Sequence, residues 1–145
     1  MIKPFAQEDF QKCCDLYIHT FNSPPWHDEW TEETAKTFMK ELIAHHRFIG
    51  YTLWDDDALV GVLFAHLQYY YRGYEVFVDE LFIAPSHQGK GLGSALMAEI
   101  EKFADENNCV SIALLTGVDK PAYDFYTKRN YKHLDYMAFM YRYLR

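Results

Sequence analysis

Long hydrophobic runs and basic residues are both scarce in this sequence. Nowhere do eighteen apolar residues occur together, and the N-terminal residues Met1-Ile2-Lys3-Pro4 lack the apolar stretch of a signal peptide. Lysine and arginine number 14 against 21 aspartate and glutamate residues, which gives a formal charge of −7 without a visible basic cluster. These features disfavour a membrane span and a nucleic-acid-binding face. We therefore expect a cytoplasmic protein whose partners include neither nucleic acid nor membrane.

Cysteine is also rare, and the histidines follow no ligand pattern. Cys13, Cys14 and Cys109 are odd in number and lack metal-ligand spacing, so we expect reduced core residues and no bound metal. No repeat, linker or low-complexity segment divides the 145 residues, half of which are apolar. A chain of this length and composition can bury one core. We expect a single domain over residues 1–145.

The spacing of apolar residues predicts both helices and strands. Apolar side chains from Phe10 to Phe21 recur along one face of a helix, and the run 110–115 is apolar except for Ser111, as in a strand buried on both faces. The first half of the chain is predicted to form a short strand at 2–4, helices over 10–21 and 31–44, and strands over 48–54, 59–67 and 75–83. These are followed by a helix over 92–107, a strand over 110–115, a helix from 121, and one or two strands within 131–133 and 136–144. This order predicts an α/β domain with a mixed sheet and helices on both faces.

A glycine-rich segment follows the predicted strand over 75–83 and opens the next helix. Its sequence is Gln88-Gly89-Lys90-Gly91-Leu92-Gly93-Ser94. Such a helix start presents free backbone N–H groups and the positive end of the helix dipole, which together suit a phosphate. The segment is not a Walker loop, because Lys90 precedes Gly91 rather than serine or threonine, and Ser94 occupies the last glycine position of the dinucleotide fingerprint. An ordinary strand-to-helix turn with a solvated lysine is the alternative.

Two adjacent carboxylates, Asp79 and Glu80, interrupt the apolar run from Val76 to Ile83. Their burial is costly unless they are paired or functional, and strand alternation sends one side chain to each face of the sheet. A carboxylate in such a position can also accept a proton from a bound group, directly or through water. We favour Glu80 for this role and keep Asp79 as its rival. A salt bridge to a neighbouring element is the structural alternative for either residue.

Aromatic residues are abundant, and several alternate with acidic ones. Ring faces beside carboxylates attract cations, although a hydrophobic cap with a solvated acidic rim would give the same pattern. The candidate residues are Trp26, Trp30, Tyr69, Tyr70 and Tyr71. A further candidate is Tyr126, whose phenol has a pKa near about 10 and can donate a proton to a strongly basic group. Its alternative role is that of a core tyrosine beneath a helix.

Two motifs together resemble the GNAT superfamily of N-acyltransferases. Gln88, Gly91 and Gly93 fit the pattern Q/R-x-x-G-x-G/A between a strand and a helix, which in that family is the acyl-CoA pyrophosphate loop. Residues 119–131 resemble the pattern N-x-x-A-x-x-F-Y followed by K-x-G-F, with Asp119 in place of asparagine and Asn130 in place of glycine. Asparagine tolerates a left-handed turn, whereas Asp119 cannot donate to a pantetheine arm as asparagine does. The element order is also that of the GNAT fold, over nearly the whole chain.

The resemblance implies a role for each candidate residue. The segment 88–94 would bind the pyrophosphate of acetyl-CoA, and Tyr126 would be the acid beside the thioester sulfur. The acidic pair resembles that of polyamine-type family members, and the five aromatic residues would wall the acceptor site. The remaining cofactor contacts would come from Leu81, Phe82, Ile83, Asp119, Ala122 and Phe125.

These implications predict an N-acetyltransferase with a mixed, mostly antiparallel sheet. The expected reaction moves an acetyl group from acetyl-CoA to a primary amine, such as a small polyamine or amino sugar, by direct attack in a ternary complex. Three alternatives stay open: a catalytically inert acyl-CoA-binding sensor, transfer to a protein or peptide amine, and a nucleotide-phosphate-binding protein. The tyrosine-rich C-terminal segment, predicted as an edge strand, makes a homodimer a further option.

Overall fold

Helix and strand bounds follow the apolar periodicity closely through residue 128. A computed structural model describes residues 1–145 and contains five strands and four helices. In chain order these are β1 (Ile2–Pro4), α1 (Phe10–Phe21), α2 (Glu32–Ile43), β2 (Phe48–Asp55), β3 (Ala58–Tyr70), β4 (Gly73–Ile83), α3 (Leu92–Glu106), β5 (Ser111–Leu114) and α4 (Pro121–Lys128). No helix is both long and apolar enough to cross a bilayer.

The five strands form one mixed sheet in the order β1-β2-β3-β4-β5. The first four pair antiparallel, whereas β5 pairs parallel with β4. Helix α1 packs on one face, where Tyr17 contacts Phe82 at a ring-centroid distance of 5.3 Å. Helix α3 packs on the other face, since a Cβ atom at Gly61 would meet side-chain atoms of Ile83 and Leu96. The expected mixed sheet with helices on both faces is confirmed.

Internal contacts divide the chain into two compact units. Residues 1–114 contain the whole sheet and helices α1 to α3, and residues 115–145 contain α4. In the first unit, Cys13 and Cys14 are fully buried and unpaired, as the helix pattern predicted. A single domain over residues 1–145 stays a prediction.

Helix α2 begins with a capping arrangement that its sequence did not predict. The Thr34 backbone N–H donates to the Thr31 hydroxyl at 3.1 Å, and the Thr31 N–H donates to the Thr34 hydroxyl at 2.9 Å. Threonine at the third helical position therefore replaces the glutamate or glutamine that usually completes this box.

Two strand predictions near the C-terminus are wrong. Residues 131–133 and 136–144 form no strand. A strand needs backbone partners, and the one backbone hydrogen bond within residues 134–144 is a local one from Met137 N to Leu134 O. The strand predicted over 110–115 exists as β5, but it lies at the sheet edge and is only half-buried. The apolar character of residues 110–115 therefore does not reflect burial on both faces.

Candidate active site

The glycine-rich segment 88–94 forms the exposed start of α3. Gly89 and Gly91 adopt left-handed φ values of 76° and 79°, where a side chain would strain the backbone. No atom lies within 4 Å of a Cβ position built on either residue. The Gln88 side chain donates from Nε2 to the carbonyl oxygen of Ile83 at 3.0 Å, which ties the loop back to β4. The glycines are thus required by the turn and leave open space above it.

The first turn of α3 leaves its backbone donors unused. The earliest hydrogen bond runs from Ala95 N to Gly91 O at 3.1 Å, and no side chain caps the helix. The N–H groups of residues 92–94 therefore face outward with the positive end of the helix dipole. Lys90 adds a cationic side chain at the same turn. This arrangement can bind a phosphate or pyrophosphate group.

Strand β4 has an open backbone edge immediately before that loop. Its parallel pairing with β5 covers Glu75 to Val78 opposite Ser111 to Leu114 and then stops. The following residues, including Leu81, Phe82 and Ile83, pair with β3 on one side only. Backbone N–H and C=O groups on the other side therefore lack a strand partner, and they can hydrogen-bond an extended ligand.

A β-bulge in β4 places both carboxylates on the same face of the sheet. Phe64 lies opposite Glu80 and Ala65 lies opposite Val78, so Asp79 is the extra residue. Asp79 hydrogen-bonds His66, which lies two residues from Phe64 on the same face of β3. The expectation that the pair would straddle the sheet is wrong, because strand alternation is interrupted at this position.

Glu80 is the most perturbed carboxylate of the structure. Burial raises its pKa to about 8, and the nearby charges of Asp79 and Asp28 add to the rise, whereas a hydrogen bond from Tyr17 opposes it. The same surroundings raise the pKa of Tyr17 well above its ordinary value, chiefly through burial, so its hydroxyl stays a donor. Perturbed carboxyl groups of this kind are typical of catalytic acids and bases.

Asp79 is held by a different element. Its Oδ2 atom lies 2.7 Å from Nδ1 of His66, and the two side chains are only 14% and 16% exposed. The His66 ring also stacks against His45, at a centroid distance of 3.9 Å, and against Phe77 at 5.5 Å. A carboxylate accepts hydrogen bonds only, so the imidazole is fixed with its Nδ1–H directed at Asp79. The two carboxylates thus have separate supports, one from α1 and one from β3.

The segment between α1 and α2 forms a shallow pocket of about 640 Å³ beside this face. Trp30 is anchored in it because its backbone exchanges two hydrogen bonds with the Asn22 side chain, at 2.8 and 2.9 Å. Its indole N–H donates to Asp28 at 3.2 Å, and its ring meets Tyr17 edge-on at 5.0 Å. The pocket lining consists of His27, Asp28, Glu29, Trp30 and Thr34. The Tyr17 side chain therefore lies between Glu80 on one side and Trp30 and Asp28 on the other.

The five predicted aromatic wall residues do not come together. Trp26 packs on Phe21 of α1 at 5.6 Å, on the same side as Trp30. Tyr69 and Tyr70 end β3, and Tyr71 lies in the turn that follows, with all three side chains exposed. Phe64 lies opposite Glu80 in the sheet, and Tyr69 follows Phe64 by five residues. Roughly 17 Å of extended strand therefore separates Tyr69 from the position of Glu80. A contribution of the three tyrosines to the acceptor site stays a prediction.

The remaining predicted residues lie in the second unit, residues 115–145. Ala122, Phe125 and Tyr126 belong to α4, and Asp119 lies in the turn before it. The Tyr126 ring contacts Phe125 at a centroid distance of 5.0 Å and Tyr131 at 5.8 Å. Asn130 adopts a φ of 70°, which explains how it replaces the family's glycine.

Two residues of the site were missed by sequence analysis. In the sequence, Tyr17 is one of several apolar residues on the inner face of the first helix, and His66 is one of the histidines without metal-ligand spacing. Nothing in the sequence marks either one, because their partners Glu80 and Asp79 lie 63 and 13 residues away along the chain. Strand register and helix packing bring these residues together.

An uncapped helix start beside an open strand edge and a carboxyl group with a raised pKa is the arrangement expected of an acyl-CoA-dependent N-acetyltransferase. A family model described as "Acetyltransferase (GNAT) family" matches residues 10–131. The chain belongs to this family. No curated protein is significantly similar to it in sequence.

Solved structures share the fold at low sequence identity. An aminoglycoside antibiotic 6′-N-acetyltransferase from Acinetobacter haemolyticus is 15% identical, with a TM-score of 0.74 and coverage of 100% of this chain and 99% of that one. An aminoglycoside acetyltransferase from an uncultured soil metagenomic sample, in complex with sisomicin, is 17% identical, with a TM-score of 0.76 and coverage of 100% and 96%. A transcriptional regulator from Bacillus halodurans C-125 is also 17% identical, with a TM-score of 0.78 and coverage of 99% of both chains. The fold therefore does not identify the acceptor.

Proposed function

We propose that this protein transfers an acetyl group from acetyl-CoA to a primary amine of a small polycationic molecule, by direct attack in a ternary complex. The observation that carries the proposal is Glu80, a largely buried carboxyl group held by Tyr17 and surrounded by the charges of Asp79 and Asp28. It lies where β4 parts from β5, and the same strand leads to the anion-binding start of α3.

The surroundings of Glu80 suit it to accept a proton from an ammonium group. A carboxyl group with a pKa of about 8 is a much stronger base than an ordinary glutamate. In the free protein near pH 7 this group is mostly protonated. A cationic amine bound beside it favours the ionised form, so binding of the acceptor prepares the base. Tyr17 holds the carboxylate through a hydrogen bond while it takes up the proton.

The segment 88–94 fits the pyrophosphate of acetyl-CoA. The N–H groups of residues 92–94 would bind the phosphate oxygens, Lys90 would add a positive charge, and the left-handed glycines keep side chains away. Acetyl-CoA supplies the acetyl thioester. Backbone groups on the open edge of residues 79–83 would orient the pantetheine arm, and Tyr126 would donate its hydroxyl proton to the departing thiolate.

The charge around Glu80 favours acceptors with more than one positive charge. Asp79 and Asp28 both act on Glu80 electrostatically, and Trp30 presents a ring in the adjoining pocket. Carboxylates and ring faces in a partly desolvated site attract cations and repel anions. The net charge of −7 acts in the same direction at longer range. Polyamines and amino sugars match this chemistry.

An acceptor panel assayed for CoA release at several salt concentrations tests the proposal. Because the Debye length falls from about 10 Å at 0.1 M to about 3 Å at 1 M, the kcat/KM of a polycationic amine should fall with salt. A neutral arylamine is the matched control, and its rate should hardly change. Preference for carboxylate-bearing amines without salt dependence would reject the polycationic acceptor and leave the acetyltransferase assignment intact.

Two other functions make different predictions in the same panel. A catalytically inert sensor would bind CoA in calorimetry but release none with any amine. An enzyme that acts on protein amines would use lysine-rich peptides far better than free polyamines. The buried Glu80 favours catalysis over sensing, because a binding module gains nothing from a carboxylate with a raised pKa.

A further inference from the structure

Acetylation of an ammonium group releases more protons than Glu80 can hold. The nitrogen of a primary ammonium group carries three protons and that of the amide product carries one, so two protons leave it in each cycle. One of them balances the protonation of the CoA thiolate, and the other must reach solvent. Glu80 accepts a single proton and is largely buried. A second proton acceptor on the same face of the sheet would return Glu80 to its ionised form.

His66 lies on that face, close to Glu80. Phe64 is opposite Glu80 in the sheet, and His66 follows Phe64 by two residues on β3. Two residues of strand span about 7 Å, a separation that a proton crosses through intervening water. The His66 side chain is only 16% exposed. Its ring stacks against those of His45 and Phe77, so its position is fixed.

The two ring nitrogens of His66 have different surroundings. Nδ1 lies 2.7 Å from Oδ2 of Asp79, so it carries the ring proton. Nε2 makes no hydrogen bond and is not enclosed, since the only buried side-chain polar atoms without a partner are Oγ1 of Thr20 and Oγ of Ser111. The lone pair of Nε2 therefore faces a space that solvent can reach. An imidazole that a carboxylate orients in this way is well suited to accept a proton near neutral pH.

Asp79 would stabilise the product of that proton transfer. Protonation of Nε2 turns the ring into a cation, and the Asp79 carboxylate is already in hydrogen-bond contact with it. Because both side chains are mostly buried, water screens this ion pair only weakly. His45 is the other titratable group that faces the ring, but it is exposed, and its Nδ1 accepts from the Arg47 backbone N–H at 3.4 Å. Of the two stacked imidazoles, only His66 has a carboxylate partner.

We infer that His66 relays protons for the reaction proposed above, on which this role depends: its Nε2 atom takes up, through water, the proton that Glu80 has accepted and releases it to solvent. An N–H bond of the acceptor breaks and an O–H bond forms on Glu80. That O–H bond then breaks as the Nε2–H bond forms, and loss of the proton to solvent restores the neutral ring. Nothing is oxidised or reduced, and Asp79 keeps its charge throughout.

Steady-state turnover of two His66 variants tests this role. His66→Ala should lower kcat for the best polycationic amine of the acceptor panel by roughly 10²-fold. His66→Asn is the matched variant, because the asparagine amide can still donate to Asp79 but cannot take up a proton. It should be as slow as His66→Ala. Wild-type turnover in His66→Asn would overturn the relay and would leave His66 only its support of Asp79.

A neutral arylamine separates proton relay from loss of structure. It arrives uncharged, so its nitrogen releases one proton fewer, and both variants should acetylate it within a few fold of the wild-type rate. Any unfolded fraction lowers the two rates of one sample equally, so the ratio of the rates for the two amines reports the relay alone. Equal losses with both amines would show that His66 has a structural role and no part in proton transfer.

Added imidazole gives a second readout. It should raise the kcat of His66→Ala by roughly tenfold or more, in a saturable manner, and leave the wild-type rate unchanged, because only the alanine variant has space for the free ring. Absence of rescue would contradict the relay. A wild-type protein that releases CoA with no amine would reject the proposed function and the relay with it. An active wild type with an equally active His66→Ala variant would reject the relay alone.

Discussion

The Nδ1 atom of His66 lies 2.7 Å from Oδ2 of Asp79, across the bulge that places Asp79 beside Glu80. The imidazole is stacked against the ring of His45 and fixed in orientation, so the Asp79 carboxylate has a fixed position too. The charge of Asp79 is one of the causes of the raised pKa of Glu80. His66 is therefore a positioning residue that acts on Glu80 through Asp79.

We expect Asp79→Asn to lower the pKa of Glu80 from about 8, because a like charge beside it is removed. The midpoint of the Glu80 carboxyl titration, followed by carbon NMR in the free protein, should fall by roughly half a pH unit or more. His66→Phe should raise this midpoint, because Asp79 loses the hydrogen-bond donor that partly offsets its negative charge. The control Asp55→Asn removes the carboxylate of an exposed pair with His87 and should leave the midpoint unchanged.

A double variant separates the two residues. If His66 acts only through Asp79, His66→Phe combined with Asp79→Asn should titrate like Asp79→Asn alone. Additive shifts would contradict this, and would show that His66 influences Glu80 directly.

Glu80→Gln should stabilise the fold at alkaline pH while it lowers turnover. The pKa of Glu80 is about 8 in the folded protein, whereas a glutamate in an unfolded chain has a pKa of about 4.3. Between these two pH values the native protein keeps a proton that the unfolded chain releases, so the free energy of unfolding falls as the pH rises. Glutamine removes this loss, and Glu80→Gln should gain on the order of 5 kcal/mol at pH 9 and about nothing at pH 4. Thermal unfolding at both pH values measures the difference, with Glu75→Gln on the same strand as the control. An equal gain at both pH values would contradict the assignment.

Gly91→Val should weaken CoA binding far more than it destabilises the fold. Its left-handed φ of 79° strains a β-branched residue, and the new side chain would occupy the open space above the helix start. Asp56→Val is a matched control, since Asp56 has a φ of 51° in the hairpin turn between β2 and β3. Both variants should lose similar thermal stability, whereas calorimetry should show a loss of CoA affinity only for Gly91→Val. Equal affinities would reject the loop as the pyrophosphate site.

Tyr126→Phe removes one hydroxyl group with little change in packing. Turnover should fall by roughly 10²- to 10⁴-fold, the usual effect of a lost general acid, while CoA affinity stays within a few fold. Tyr123→Phe on the same helix removes a hydroxyl that lies 3.3 Å from His133 and should have little effect. A loss of CoA affinity in Tyr126→Phe would mean that its hydroxyl binds the cofactor and does not deliver a proton.

Local sequence determined most of the elements and the glycine-rich segment. The apolar stripe from Phe10 to Phe21 specifies α1 because helical periodicity acts within a few turns. The order of glycines in residues 88–94 specifies a turn with left-handed residues for the same reason, since the preference of each φ angle is local. The acidic pair was also recognisable, because two carboxylates in an apolar strand are costly without a function.

Only the tertiary structure decided how the site is assembled. The bulge opposite Phe64 turned Asp79 and Glu80 to one face, and it arises from strand register, which no short segment encodes. Tyr17 and His66 joined the site because a helix and a neighbouring strand brought them there. Residues 136–144 carry the alternation of a strand but form none, because a strand exists only when backbone partners are present, and partners are supplied by tertiary or quaternary contacts.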